Sequence, residues 1–141
     1  NNLDALVSWI VSRGENTLLL ASGWKDKFNL EDTICAGAII EGVLSSKAFR
    51  TNEDSSIAAM FLSKSARDNQ FAFLKSSSHR IRLRNLNLNA DVKYCLTPNN
   101  LSAIPILKDG VLISQENFDK AVKAEKGGKS NGEEMVGLTT E

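Results

Sequence analysis

The sequence contains few of the residues that cross-link a chain or hold structural metals. Its 141 residues include two cysteines, two prolines and one histidine. Cys35 and Cys95 lie far apart, and although they allow one disulfide, the pattern is too sparse for a disulfide-stapled secreted scaffold. A structural zinc site with four sulfur or nitrogen ligands is likewise disfavoured. We therefore expect buried free thiols in a reducing compartment, the cytoplasm.

Long apolar runs and an excess of one charge are also missing. The longest apolar runs, such as residues 17–21, have about five residues, too few to span a bilayer. Seventeen basic residues balance seventeen acidic ones. A neutral chain lacks the long-range field that attracts nucleic acid or anionic lipid, so neither nucleic acid nor a membrane is expected as a partner. The 42% of apolar residues is enough to bury a globular core.

The chain opens on Asn1 and enters an apolar pattern of helical spacing over residues 3–11, which Gly14 ends. This opening has neither the basic region nor the apolar region of a signal peptide. Because folded sequence begins without an initiator methionine, we expect a fragment. The residues that precede Asn1 are expected to contact this part and to complete an active site, and assembly into a homo-oligomer is a further expectation.

The apolar patterns that follow predict an α/β fold. Residues 17–21 have the length and composition of a strand buried on both faces. A helix is predicted over residues 30–44 after the N-cap Asn29, and more helices follow it. Residues 91–96 alternate at period two and predict another strand. The fold class expected is therefore α/β, with a three-layer-like arrangement of sheet and flanking helices.

The end of the chain divides at a change of composition. Residues 103–113 predict a hairpin turning at Asp109 and Gly110, which would close a mixed sheet. We accordingly predict an α/β domain over residues 1–113. Residues 114–141 are predicted to form a short helix and then a disordered tail from residue 126, where glycine, lysine and glutamate dominate.

The clearest candidate site lies where the first predicted strand leads into the next helix. Ligands of α/β proteins bind at the carboxyl ends of strands, and helix N-termini attract anions. Ser22 and Gly23 would let the backbone approach a phosphate, while Glu31 and Asp32 are hard oxygen donors suited to Mg²⁺. The alternative is that both carboxylates only stabilise the first turn of a helix, as acidic residues commonly do there.

Two further features remain open on sequence alone. His79 is the one side chain that ordinarily titrates near neutral pH, so it is a candidate for proton transfer or substrate binding, with a structural helix-start role as the alternative. The arginines that follow it are suited to clamping a phosphate or sulfonate, yet a solvated basic face is the interpretation we prefer. They are Arg80, Arg82 and Arg84.

The order of these blocks resembles the 2-phosphosulfolactate phosphatase family, often called ComB. That family has an apolar strand, a small-residue turn, a Phe-Ser-Leu-Glu-Asp motif and an Ala-Gly pair in the next helix. The residues in those places here are Phe28, Leu30, Glu31, Asp32, Ala36 and Gly37, with Asn29 where serine is usual. Downstream, the family's Ser-x-His block, closing cysteine and Val-Pro pattern are similar to the segments at His79, Cys95 and Ile104-Pro105.

The resemblance covers about residues 2–113 and only the carboxyl half of the family. It implies a magnesium-dependent phosphatase of coenzyme M biosynthesis that acts on a small anionic phosphoester, with Glu31 and Asp32 in catalytic and metal-binding roles. Ser22, Gly23 and His79 would then bind substrate. The rival hypothesis is a non-catalytic α/β domain that binds a partner or a small anion.

Overall fold

The computed structural model describes residues 2–130, and the chain divides into two compact units, one ending at Ser102 and one beginning at Ala103. The first unit is helical. Its helices are α1 (Leu3–Arg13), α2 (Leu30–Ser45), α3 (Asp54–Ala66), α4 (Gln70–Phe73), α5 (Ser78–Asn85) and α6 (Asn89–Cys95), with one 3-10 turn at Leu74–Ser76.

Helix α2 is the central element of this unit. It begins as predicted, because the side chain of Asn29 accepts a hydrogen bond from the backbone N–H of Glu31. Gly37 is buried where α2 meets α3, and a Cβ at that position would lie 2.0 Å from the carbonyl oxygen of Ala59. The absence of a side chain at Gly37 therefore permits the close contact of the two helices.

Two apolar clusters pack on opposite parts of α2. The first joins α1 to the second half of α2 through Ile10, Ile39 and Val43. The second joins the first half of α2 to the end of α3 and the 3-10 turn through Ile34, Ala66 and Leu74, which has no exposed surface. The start of α2, where the candidate carboxylates lie, is thus fixed by the second cluster.

The predicted strand at residues 17–21 is an irregular segment in this structure. The predicted burial on both faces is wrong for this segment, because Leu19 packs against the first cluster while Leu18 and Leu20 are 87% and 85% exposed. Among residues 2–130 no hydrogen bond reaches the backbone of residues 18–22. A strand needs a neighbour to pair with, and the described part of the chain does not supply one.

The strand predicted over residues 91–96 is wrong, since this segment forms α6. Val92 is buried, Leu96 is half-buried one turn later, and Tyr94 between them is 55% exposed. Burial therefore follows the helical spacing of four rather than the alternation at period two. The further helices that the sequence predicts after residue 44 are confirmed as α3, α4 and α5.

The second unit contains the predicted hairpin. Strands β1 (Pro105–Lys108) and β2 (Val111–Ser114) pair antiparallel, with Lys108 opposite Val111. Asp109 and Gly110 both have positive φ, 51° and 78°, as a tight two-residue turn requires. In the part of the chain that the structure describes, this is a two-stranded sheet. The mixed α and β content agrees with the α/β expectation, while the three-layer arrangement stays a prediction.

Helix α7 (Gln115–Ser130) follows the hairpin directly, and the backbone N–H of Gln115 donates to the carbonyl oxygen of Ile104. The structure thus groups the hairpin with the last helix, whereas the sequence suggested a boundary after residue 113. The predicted disorder begins at residue 126, yet residues 126–130 continue the helix. Residues 131–141 lie outside the described residues.

The described residues also bear on the membrane-spanning segments and the disulfide that the sequence analysis considers. No helix within residues 2–130 combines the length and the apolar character needed to cross a membrane. Cys35 and Cys95 are both free thiols, but the predicted burial is wrong, since both residues are exposed.

Candidate active site

A cavity of about 450 Å³ in the first unit brings together three of the predicted site residues. Glu31 and Asp32 reach it from the first turn of α2, and His79 reaches it from the first turn of α5. The volume lies within the range of small-molecule sites. The structure therefore brings these groups, which lie up to 48 positions apart in the sequence, around one cavity.

Glu31 is held by the start of α5. The Ser77 hydroxyl donates to Glu31 Oε1 over 2.5 Å, and the same Ser77 oxygen accepts from the backbone N–H of Arg80 over 3.1 Å. Ser77 is therefore both the N-cap of α5 and the partner of the carboxylate. The other oxygen, Glu31 Oε2, is buried and has no hydrogen-bond partner among the described residues.

Asp32 points to a different segment, because neighbouring residues on a helix project about 100° apart. Its Oδ2 accepts a hydrogen bond of 2.8 Å from the backbone N–H of Gly23. Gly23 has a φ of 70°, and a Cβ there would lie 2.3 Å from the carbonyl oxygen of Lys27. Ser22 is exposed, and neither Ser22 nor Gly23 lines the cavity. In this conformation Asp32 occupies the Gly23 N–H that the sequence suggested for phosphate.

His79 is oriented by a stack of two side chains. Its Nδ1 lies 2.9 Å from Arg82 Nη2, and the Arg82 guanidinium lies over the ring of Trp24 at 4.2 Å from the ring centre. Because a guanidinium only donates hydrogen bonds, Nδ1 accepts, and the ring proton of a neutral His79 is at Nε2. Trp24, on the turn beside Gly23, therefore positions the histidine through Arg82.

The interpretation of the arginines as a solvated basic face is wrong for Arg80. Arg84 is exposed, but Arg80 is only 6% exposed and lines the cavity. Helical spacing could have indicated the burial of Arg80, because Arg80 lies one turn before the apolar Leu83, which lines the same cavity. Ser77 was also missed, although serine followed by a helical segment is a common N-cap pattern.

Cys35 lies one turn beyond the two carboxylates and also lines the cavity. Partial removal from water raises the pKa of the Cys35 thiol, and the negative charge of Asp32 raises it further. A thiol with a raised pKa is a poor nucleophile at neutral pH. We therefore assign Cys35 no nucleophilic role.

The donor set suits a magnesium ion that keeps water and substrate as ligands. Within residues 2–130 no group of three or more histidine, cysteine, aspartate or glutamate side chains is arranged to hold a metal. Mg²⁺ is, however, commonly bound through one or two carboxylates, with water and phosphate completing its shell. The buried, unpartnered Glu31 Oε2 is a suitable oxygen for such an ion.

Comparison with known proteins identifies a phosphatase family. Residues 1–110 match the family described as 2-phosphosulpholactate phosphatase. The chain belongs to the 2-phosphosulfolactate phosphatase family.

Several curated relatives carry the same description, each named a probable 2-phosphosulfolactate phosphatase. The Cyanothece protein is 34% identical over 119 residues, which is 80% of this chain and 49% of the relative. The protein of Caldanaerobacter subterraneus is 32% identical over 83% of this chain and 48% of its own length. The Gloeothece citriformis protein is 37% identical over 79% and 48%. The chain thus spans about half the length of these relatives.

Proposed function

We propose that the chain forms the carboxyl half of a magnesium-dependent phosphatase that hydrolyses a phosphomonoester such as 2-phosphosulfolactate. The observation that carries the proposal is the cavity that Glu31, Asp32 and His79 share in a chain of this family. In the reaction water adds to phosphorus, the ester P–O bond breaks, and phosphate and sulfolactate leave. The reaction would be a step in coenzyme M biosynthesis, and the free thiols fit a cytoplasmic location.

The two carboxylates are given separate tasks in this proposal. Glu31, with one oxygen fixed by Ser77 and the other unpartnered, would hold the Mg²⁺ directly or through water. When bound, the ion offsets the charge that develops on the transferring phosphoryl group. Asp32 would hold the turn at Gly23 against the start of α2, or release that N–H to the phosphate when substrate enters.

His79 is proposed to act at the substrate. Arg82 occupies Nδ1, so the Nε2–H is the group left to donate to a phosphate or leaving-group oxygen. Ser22 and Gly23 are retained as residues bordering the phosphate, and that assignment requires the Gly23 N–H to exchange Asp32 for the substrate. None of these residues is assigned as a nucleophile, because a water molecule that attacks phosphorus directly takes that role.

The test is phosphate release from 2-phosphosulfolactate by the whole protein, with and without Mg²⁺. We expect Mg²⁺-dependent activity that falls at least 100-fold in Glu31→Gln and Asp32→Asn. Asp54→Asn is the matched control, because Asp54 is an exposed carboxylate in the first turn of α3, and it should retain full activity. Full activity in both site variants would return Glu31 and Asp32 to the role of helix-start residues and favour the non-catalytic rival.

We further propose that polypeptide absent from this chain covers residues 17–21. The backbone of this segment is unpaired, two of its leucines are exposed, and it borders an apolar groove of about 670 Å³ along α2 and α3. A strand pairing beside the segment would satisfy its backbone groups and bury Leu18 and Leu20. Because this chain spans about half of its relatives, we assign that strand to the family's other half.

Hydrogen exchange distinguishes the possible occupants of this groove. The amides of Leu18 and Leu20 should exchange rapidly in the 141-residue chain and be protected in the whole protein as a monomer. Protection that appears only with dimers of the 141-residue chain would assign the groove to a homo-oligomer instead. Fast exchange in every form would refute the covering strand.

A further inference from the structure

The side chain of Arg80 is a buried cation with an incomplete set of partners. It is 6% exposed, its Nη1 donates to Asn89 Oδ1 over 2.7 Å, and its guanidinium lies over the Phe71 ring at 4.2 Å from the ring centre. Its Nε–H is buried and has no hydrogen-bond partner among the described residues. A charged donor is therefore held in a fixed position with one of its N–H groups unused.

No carboxylate in the described part of the chain neutralises this charge. The ion pairs there involve Arg13 and Arg67, not Arg80. Burying a guanidinium without a counter-charge is strongly unfavourable, so a structure that does so commonly keeps the group for an anion.

None of the acidic side chains that line the cavity forms an ion pair with Arg80. Glu31 Oε1 is bonded to Ser77, and Asp32 Oδ2 is bonded to the Gly23 N–H. Asp91 lines the cavity but forms no ion pair with Arg80.

A second positive charge reinforces the same place. The Lys93 ammonium lies 5.2 Å from the centre of the Phe71 ring, so the aromatic ring has two cations as neighbours. Arg80 also lines the cavity of about 450 Å³ that Glu31 and His79 share. Three carboxylates, those of Glu31, Asp32 and Asp91, line the same cavity, so Arg80 is the lining cation that is suited to an anion.

We propose that Arg80 binds an oxyanion, a sulfonate or a phosphate, in this cavity. A guanidinium donates two parallel hydrogen bonds to two oxygens of such a group, and the free Nε–H of Arg80 supplies one of them. Asn89 acts as a positioning residue, because its oxygen fixes the orientation of Nη1. The assignment deepens the function proposed above, since it names the group that holds the acidic end of the substrate.

The experiment follows the Arg80 Nε–H resonance by NMR while the 141-residue chain is titrated with methanesulfonate or inorganic phosphate at constant ionic strength. We expect a saturable shift of this resonance with at least one of the two ions. The ion that binds more tightly identifies the group Arg80 prefers. Neither ion is hydrolysed, so the titration tests anion binding by Arg80 independently of the proposed phosphatase activity.

Variants make the test specific. Arg80→Gln should weaken binding at least 10-fold, whereas Arg84→Gln, which removes an exposed arginine of the same helix, should change it less than twofold. Arg80→Lys keeps the charge but loses the paired donors, so an intermediate affinity is expected. If Arg80→Gln does not fold, the wild-type titration decides alone. Unchanged affinity in folded Arg80→Gln, or no shift of the Nε–H resonance with either ion, would overturn the proposal.

Discussion

Replacing Ser77 by alanine removes two interactions of one buried hydroxyl group. Ser77 Oγ accepts from the backbone N–H of Arg80 and donates to Glu31 Oε1. Since Glu31 Oε2 already lacks a partner in the described chain, the substitution leaves the carboxylate without any hydrogen bond from these residues. We therefore expect Ser77→Ala to destabilise the first unit more than an ordinary serine substitution does.

The magnitude follows from the two losses. Removing a helix N-cap costs about 0.5–2 kcal/mol. Leaving a partly buried hydrogen-bonding group unsatisfied costs about 1–3 kcal/mol. Water that reaches the half-buried Glu31 reduces the second contribution, so we expect a total of about 2–3 kcal/mol. For a unit of this size that corresponds to a fall in Tm of roughly 10–20 °C.

Urea unfolding followed by circular dichroism measures this change. Ser78→Ala is the matched control, because Ser78 is exposed and should alter the free energy of unfolding by less than about 0.5 kcal/mol. A double-mutant cycle with Glu31→Ala, which removes the accepting oxygen, isolates the pair and should give a coupling of about 1 kcal/mol. If Ser77→Ala were as stable as Ser78→Ala, the bond between Ser77 and Glu31 would not contribute as argued here.

Three further substitutions or reactions test other contacts. Gly37→Ala places a Cβ 2.0 Å from a backbone oxygen of α3 and should cost about 3 kcal/mol or more in urea unfolding. Gly42→Ala meets only the side chain of Val7 in α1, whose nearest methyl carbon is 2.8 Å away, and should cost less. Alkylation of Cys35 by iodoacetamide at pH 8 should be slower than alkylation of free cysteine, because desolvation raises the pKa of the Cys35 thiol. Asp32→Asn should speed the alkylation, because it removes a negative charge that also raises this pKa. A wild-type rate equal to that of free cysteine would contradict the argument. Gly23→Ala should strain the turn and accelerate amide hydrogen exchange there, and an unchanged exchange rate would refute the strain.

The parts of the fold that the sequence predicts correctly are those fixed by local interactions. The N-cap Asn29 and the acidic first turn define the start of α2, and the Asp109-Gly110 pair defines the hairpin turn. Each requires only residues a few positions apart in the chain. Short-range physics is therefore sufficient for them.

The errors occur where the decisive partner is distant or outside this chain. Residues 17–21 have the composition of a buried strand, but pairing depends on a neighbour that residues 2–130 do not contain. Residues 91–96 fit both periodicities over a short window, and the packing of Val92 and Leu96 decides for a helix. Pattern alone does not separate a short strand from a short helix.

In the candidate site, too, the sequence predicts the features that depend on neighbouring residues and misses those that depend on distant ones. The sequence shows that Glu31 and Asp32 are neighbours, but it does not show that they have different partners. Ser77, the partner of Glu31, lies 46 positions later in the chain, and Gly23, the partner of Asp32, lies nine positions earlier. A helix start explains why acidic residues occur there; it does not explain a buried carboxylate oxygen without a partner. The guanidinium of Arg80, whose Nε–H likewise has no hydrogen-bond partner among the described residues, lines the same cavity. In the proposals above, the Glu31 oxygen is suited to a cation and this guanidinium is suited to an anion. A phosphoester that binds together with Mg²⁺ would need one group of each kind.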